Sequence, residues 1–184
     1  QNFFSLEQHI KGCINHFRGN EDAKNIYQPM VDKIQHIRCN NYGDNANLYY
    51  IKVADYNTLG MNYVRDLNGR DDTTQPFYAF VRAAGVSAKG DSTAGGSFGY
   101  GKAAYFYISP LRTIFVSTKT EMGKHFFEGV SSLCTHEIEG ETGLRVSVGF
   151  YDNNNGYPIT DINKIPERFQ RNKPGTDIYI MGID

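Results

Sequence analysis

Residues 56–101 are the part of this 184-residue chain that most limits how it can fold. Gly, Asn, Asp, Ser and Thr dominate the stretch, which holds one short apolar helix candidate at 76–84. Loops this long inside a compact domain are usually functional. The stretch ends in Gly95-Gly96-Ser97-Phe98-Gly99-Tyr100-Gly101-Lys102, and an apolar helix candidate follows over 103–109. Glycine lets the backbone approach a ligand closely and aim several N–H groups at one cluster of oxygens. A helix N-terminus adds a favourable dipole for anions, and Lys102 adds a full positive charge. The combination reads as a cradle for polyphosphate.

What flanks this loop sets the fold class. Before it, Leu6, Ile10, Cys13, Ile14 and Phe17 fall at helical spacing, with Ser5 as the expected N-cap. Gly19-Asn20 breaks the pattern, and Ile26, Tyr27, Met30, Val31 and Ile34 resume it over 23–37 despite Pro29. Residues 40–47 are loop-like, 48–54 are rich in strand formers, and Asp55 ends that run. After the loop come strand candidates at 113–118, 125–133, 144–151 and 177–181. The order predicts an α+β two-layer sandwich, with helices on one face of a mixed, mainly antiparallel sheet. Strands 48–54 and 177–181 are expected in the same sheet. The length fits one domain, given a prior of roughly 150 residues each.

Several classes are excluded or disfavoured. Nineteen basic residues against 20 acidic ones give a net charge of −1, so neither nucleic acid nor an anionic membrane surface is an expected partner. No apolar run approaches the ~20 residues that span a bilayer. The first residues, Gln1-Asn2-Phe3-Phe4-Ser5, do not read as a signal peptide, and a cytoplasmic location is expected. Cys13, Cys39 and Cys134 are odd in number and far apart, and no CxxC or HxxxH pair exists. They read as reduced thiols, and no metal site is expected. The five histidines are scattered and read as surface or packing residues. Asp152-Asn153-Asn154-Asn155-Gly156 hints at a calcium loop, but its glycine comes fifth rather than sixth and Asn163 stands at the twelfth position. A polar turn fits better.

The glycine loop can be compared with three nucleotide-binding patterns. Gly96 to Lys102 nearly spells a P-loop, but Ala103 removes the hydroxyl that would hold Mg²⁺, and no buried strand precedes it. A dinucleotide fingerprint needs G-x-G-x-x-G, whereas Gly96, Gly99 and Gly101 are spaced G-x-x-G-x-G. That last order resembles the second glycine box of the GHKL ATPases: gyrase, the heat-shock-90 chaperones, histidine kinases and the MutL mismatch-repair proteins. Two more boxes follow the same order. Ile51-Lys52-Val53-Ala54-Asp55 with Tyr56-Asn57-Thr58-Leu59-Gly60-Met61 resembles a strand ending in D-x-G-x-G, with Asn57 at the first glycine and Gly60 one residue late. Gly175-Thr176 before Asp177-Ile178-Tyr179-Ile180 resembles the late G-T box that opens a strand. Together with Leu111-Arg112-Thr113-Ile114-Phe115, these runs are similar to a bacterial branch of heat-shock-90-like ATP-binding proteins, over most of the chain.

The resemblance implies a Bergerat-type ATP-binding fold and assigns roles. Asp55, at a strand exit, can accept a hydrogen bond from the adenine amine, where guanine would present an acceptor oxygen. Thr176 supports this base contact in the family, Gly60 lets the chain pass close to the purine, and Met61 is either an apolar base wall or ordinary core. Gly96, Ser97, Gly99, Gly101 and Lys102 would hold the phosphates, and 85–95 would form a lid, with Lys89 a further contact or simply a solvated lysine. The cofactors implied are ATP and Mg²⁺. In the family a Glu and an Asn from one helix serve hydrolysis and Mg²⁺. The one E-x-x-x-N match here, Glu21 to Asn25, continues into Gln28-Pro29 and reads as an exposed helix start. The catalytic residues therefore stay unassigned. The catalytic helix and its Mg²⁺ ligand are expected upstream of Gln1, which would make the chain an N-terminally truncated domain. The parent would be an ATPase, in which a homodimer is allowed. The alternative is a non-catalytic nucleotide-binding or protein-interaction module.

Overall fold

The computed structural model describes residues 3–18, 20–39, 48–65, 69–72, 74–82 and 100–183. Helix α1 covers Phe3–His16 and α2 covers Glu21–Cys39. Ser5 lies inside α1 and is not its N-cap, because the helix already includes Phe3. Asn20 caps α2: its side-chain oxygen accepts the Asp22 N–H at 2.8 Å and its carbonyl accepts the Lys24 N–H. The sequence break at 19–20 is thus a start signal for α2. Pro29 stays within α2 on an exposed position. The lost N–H is offset by a buried stripe of Ala23, Tyr27, Met30, Val31 and Ile34, packed with Ile10 and Cys13 of α1.

The chain is an α+β fold built on an open, five-stranded antiparallel sheet. The strands are β1 (Tyr49–Ala54), β2 (Thr113–Lys119), β3 (His125–Ser132), β4 (Val148–Tyr151) and β5 (Gly175–Ile183). Their spatial order is β1-β5-β2-β3-β4. All four pairings are antiparallel, so the expected mixture with parallel strands is absent among the described residues. The β1 and β5 strands share the sheet, as expected, and are direct neighbours in it. Residues 144–147 fall short of strand; Arg145 makes only an isolated bridge to His136.

Alternation assigns the sheet two faces. One face carries Ile114, Val116, Phe126, Val130, Ile178 and Ile180, and is covered by α3 (Pro76–Val81) and α4 (Tyr100–Ile108). Both loop-flanking helix expectations are therefore met in kind. The other face carries an aromatic stack: Phe115 lies parallel to Phe127 and Phe169 at 5.6 and 5.4 Å, and Phe169 meets Tyr179 edge-on at 4.7 Å. The α1–α2 pair takes neither position. It packs on Leu111, Leu133, Cys134 and Leu48, at the end of the sheet where β1 begins. Asp55 lies at the other end, about 20 Å along the strand at 3.3 Å per residue. Helices on one face only is therefore corrected to two on a face and two at an end.

Helix α1 is also held by a histidine pair. His136, 1% exposed, places Nδ1 2.8 Å from the Cys134 carbonyl, which can only accept. Neutral His136 then accepts at Nε2 from His9 Nδ1–H, 2.8 Å away. Burial lowers the His9 pKa below its ordinary 6.5, and the nearby Arg145 charge lowers it further. Unfolded His9 takes up a proton near pH 6.5 and folded His9 only at lower pH. Stability is thus full above that value and falls as pH drops through the window. Thermal denaturation at neutral and mildly acidic pH should show a falling midpoint for the wild type and a shallower fall for His9→Gln. Equal slopes in the two proteins would place the titration elsewhere.

Candidate functional site

Four of the residues singled out from sequence meet at the open end of the β1–β5 pair. Asp55 follows β1, and its N–H donates to the Thr176 carbonyl at 3.0 Å. Its carboxylate Oδ1 accepts the Thr176 N–H, while Oδ2 accepts no hydrogen bond among the described residues. The residue is exposed. Thr176 lies opposite Thr118 of β2 in register, and Thr118 is fully buried. A hydroxyl has one proton and two acceptor positions. Full satisfaction of Thr118 has it donate to the Gly175 carbonyl at 3.0 Å and accept from the Met61 N–H at 2.8 Å and the Thr176 hydroxyl at 3.1 Å. Thr176 then spends its proton on Thr118 and keeps only lone pairs for any further partner. With Asp55 Oδ2, the site offers two acceptors and calls for a donor such as an exocyclic amine.

The glycines at this site are demanded by close approach. Gly60 has φ +69°, and a Cβ there would run into the Lys119 carbonyl group, its carbon at 2.9 Å. Gly175 has φ +133°, and a Cβ there would lie 2.6 Å from the Asp55 carbonyl oxygen and 2.7 Å from Oδ1. Asn57, standing where the resemblance has glycine, adopts φ +59°, the left-handed region that Asn tolerates best among non-glycine residues. Met61 is half-buried and packs on the core under α3, so it is core packing as well as a neighbour of the site.

Sequence reasoning missed what holds this end together. Asp177, 1% exposed, accepts from Arg171 Nη1, from Lys52 Nζ at 2.9 Å and from the Tyr179 hydroxyl at 3.0 Å. Arg171, itself buried, donates its other nitrogen to the Asp55 carbonyl at 2.7 Å, and the Tyr56 ring lies 5.1 Å from its guanidinium. The available signal was a lone Asp inside a run of strand formers, which needs a buried cation nearby.

The phosphate-loop residues fare differently. Gly96, Ser97 and Gly99, with Lys89 and the lid residues 85–95, lie outside the described residues. Gly101 and Lys102 sit in the first turn of α4, so the helix begins where the loop enters it. Lys102 is half-buried; its Nζ donates to the Ala79 carbonyl of α3 at 3.3 Å, and burial lowers its pKa. The described contacts tie Lys102 to α3 and not to the Asp55 group. Glu21 and Asn25 are both exposed, and Glu21 pairs with Lys24 on its own helix at 3.0 Å.

The remaining candidates behave as structure. Asp152 and Asn153 accept the N–H groups of Asn154 and Asn155, a pair of side-chain-closed turns after β4. No group of His, Cys, Asp or Glu among the described residues is arranged to hold a metal ion. The Cys13 and Cys134 thiols are free, and burial pushes the Cys13 pKa up to about 12, far from a reactive thiolate. No described helix is long and apolar enough to cross a membrane.

Removing Arg171 would leave Asp177 buried with its charge under-compensated, and Arg171→Ala is expected to lower stability by about 3–5 kcal/mol. Gly175→Ala should also destabilise, through the clash with Asp55 and the strained φ. Urea denaturation followed by far-UV circular dichroism checks both. A loss under about 1 kcal/mol for Arg171→Ala would show that Lys52 and Tyr179 suffice.

Compared with protein-family models, with curated proteins and with solved structures, the chain shows no match.

Proposed function

We propose that the chain is an adenine-nucleotide-binding domain of Bergerat type, with the base read by Asp55 and Thr176. One observation carries this reading: at the joined ends of β1 and β5, an exposed carboxylate oxygen and a hydroxyl left with lone pairs stand beside two glycines that leave the backbone bare. Asp55 Oδ2 and Thr176 Oγ1 would accept the two protons of the adenine 6-amino group. Guanine carries an acceptor oxygen there and would leave both unpaired. Gly60 and Gly175 would let the purine lie against backbone. The D-x-G-x-G-like, glycine-rich and G-T runs stand in GHKL order, and the antiparallel sheet with a helix after the glycine loop agrees with it. The phosphates would extend toward Gly96, Ser97, Gly99, Gly101 and Lys102.

Asp55→Asn keeps an acceptor oxygen but loses the charge. Adenine nucleotide binding should weaken by about 1.5 kcal/mol, the low end for hydrogen bonds to charged groups, or roughly tenfold. Equilibrium titration with a fluorescent adenine nucleotide measures this. Unchanged affinity in a folded variant would remove Asp55 from the site.

For catalysis, a specific observation favours the non-catalytic alternative for this chain. Hydrolysis needs a base within hydrogen-bond reach of the attacking water. Glu21 and Asn25 are exposed on a helix packed at the sheet end remote from Asp55. The chain should bind adenine nucleotide yet release no phosphate above background in a steady-state assay with Mg²⁺. Robust turnover lost in Glu21→Ala would instead make α2 the catalytic helix.

A further inference from the structure

We propose a second binding site, on the opposite face of the sheet from Asp55, that takes a long-chain carboxylate. An open cavity of about 670 Å³ lies over the aromatic face, between α1–α2 and the segment 166–169. That is the size of an ordinary small-molecule site. Its floor and walls are apolar, with Leu48, Tyr50, Phe127, Phe169 and Met181 among them. Polar groups come in only a few places. Arg145 and Arg168 are lining residues, and no Asp or Glu lines the cavity among the described residues. Arg145 is paired with Glu141, whereas Arg168 is exposed and makes no ion pair among the described residues. The hydrogen-bonded His9–His136 pair also lines the cavity.

An apolar body with the Arg168 guanidinium unpaired at its edge, and no lining carboxylate among the described residues, is complementary to an amphiphile with an anionic head. The planar guanidinium fork matches a carboxylate with two parallel hydrogen bonds. Gly149 of β4 marks the room available: it lines the cavity, and a Cβ built on it meets nothing within 4 Å. A strand glycine facing open space leaves volume that a ligand chain can use.

The test is a titration of the whole chain with cis-parinaric acid, a fluorescent polyene fatty acid, followed by displacement. Saturable enhancement of its fluorescence is expected. Palmitate should displace it about tenfold or more better than hexadecanol, which has the same chain but no charge. Arg168→Gln should erase that preference and leave hexadecanol unchanged. Gly149→Leu should fill the cavity and weaken both ligands about tenfold, with a thermal midpoint no lower than wild type. Excess ATP should leave the probe bound, because Asp55 faces the other side. Absence of probe binding, equal competition by acid and alcohol, displacement by ATP, or wild-type affinity in Gly149→Leu would each overturn the site. Apart from the ATP competition itself, none of these outcomes depends on whether ATP binds.

Discussion

The Asp177 carboxylate is the group on which the site-bearing end of the molecule depends. It is buried at the third position of β5, where an unpaired charge would be costly. Its partners come from separate places: Lys52 from β1, Tyr179 from β5 itself, and Arg171 from the loop that enters β5. Arg171 satisfies Asp177 with one nitrogen and the Asp55 backbone with another. Pinning that guanidinium fixes residues 171–174 over the strand end. Gly175 is then squeezed between Arg171 and Asp55, and the Thr176 N–H is delivered to the Asp55 carboxylate. The geometry of the proposed base site follows from a charge pair that does not belong to it.

Strand alternation lets neighbouring residues serve opposite purposes. Thr176, Ile178 and Ile180 face the helices, whereas Asp177, Tyr179 and Met181 face the aromatic stack. The base-reading hydroxyl and the structural carboxylate are thus adjacent in sequence and on different sides of one sheet. The same alternation separates the two proposed ligands. Asp55 is paired with Thr176 on the helix face, and the cavity lies among Tyr50, Phe127 and Met181 on the other.

Much of this was legible in the sequence because local signals and tertiary ones agreed. The strand runs ending at Asp55 and opening at Gly175-Thr176 had strong β-formers beside polar residues with unusual backbone demands, and the structure places them in hydrogen-bond contact. Asn57 looked like a departure from a glycine pattern, yet its backbone is left-handed as glycine's would be. What was illegible was relational. Nothing local says that Arg171 reaches Asp177, that His9 finds His136 more than a hundred residues away, or that α1–α2 pack at a sheet end. Helical periodicity reports that a face is buried, not against what. Ser5 failed as a cap because an apolar pair precedes it and the helix extends through Phe3.

The polar knot at the sheet end exceeds what closing two strands requires. The backbone bond from Asp55 to the Thr176 carbonyl already terminates the β1–β5 ladder, and a plain turn could follow it. Instead the Asp55 carboxylate takes the Thr176 N–H, and Thr118 gathers Gly175, Thr176 and Met61. Each of these ordered side chains gives up rotamer freedom without burying much apolar surface. Nearby on β1, Ile51 and Val53 face the same side as Asp55 and remain 43% and 42% exposed, so apolar burial is not what organises the region. Order imposed by hydrogen bonds on an exposed carboxylate and a buried hydroxyl preorganises two acceptors before any ligand arrives. A turn that only reversed the chain would have no use for a carboxylate oxygen held in place and left open.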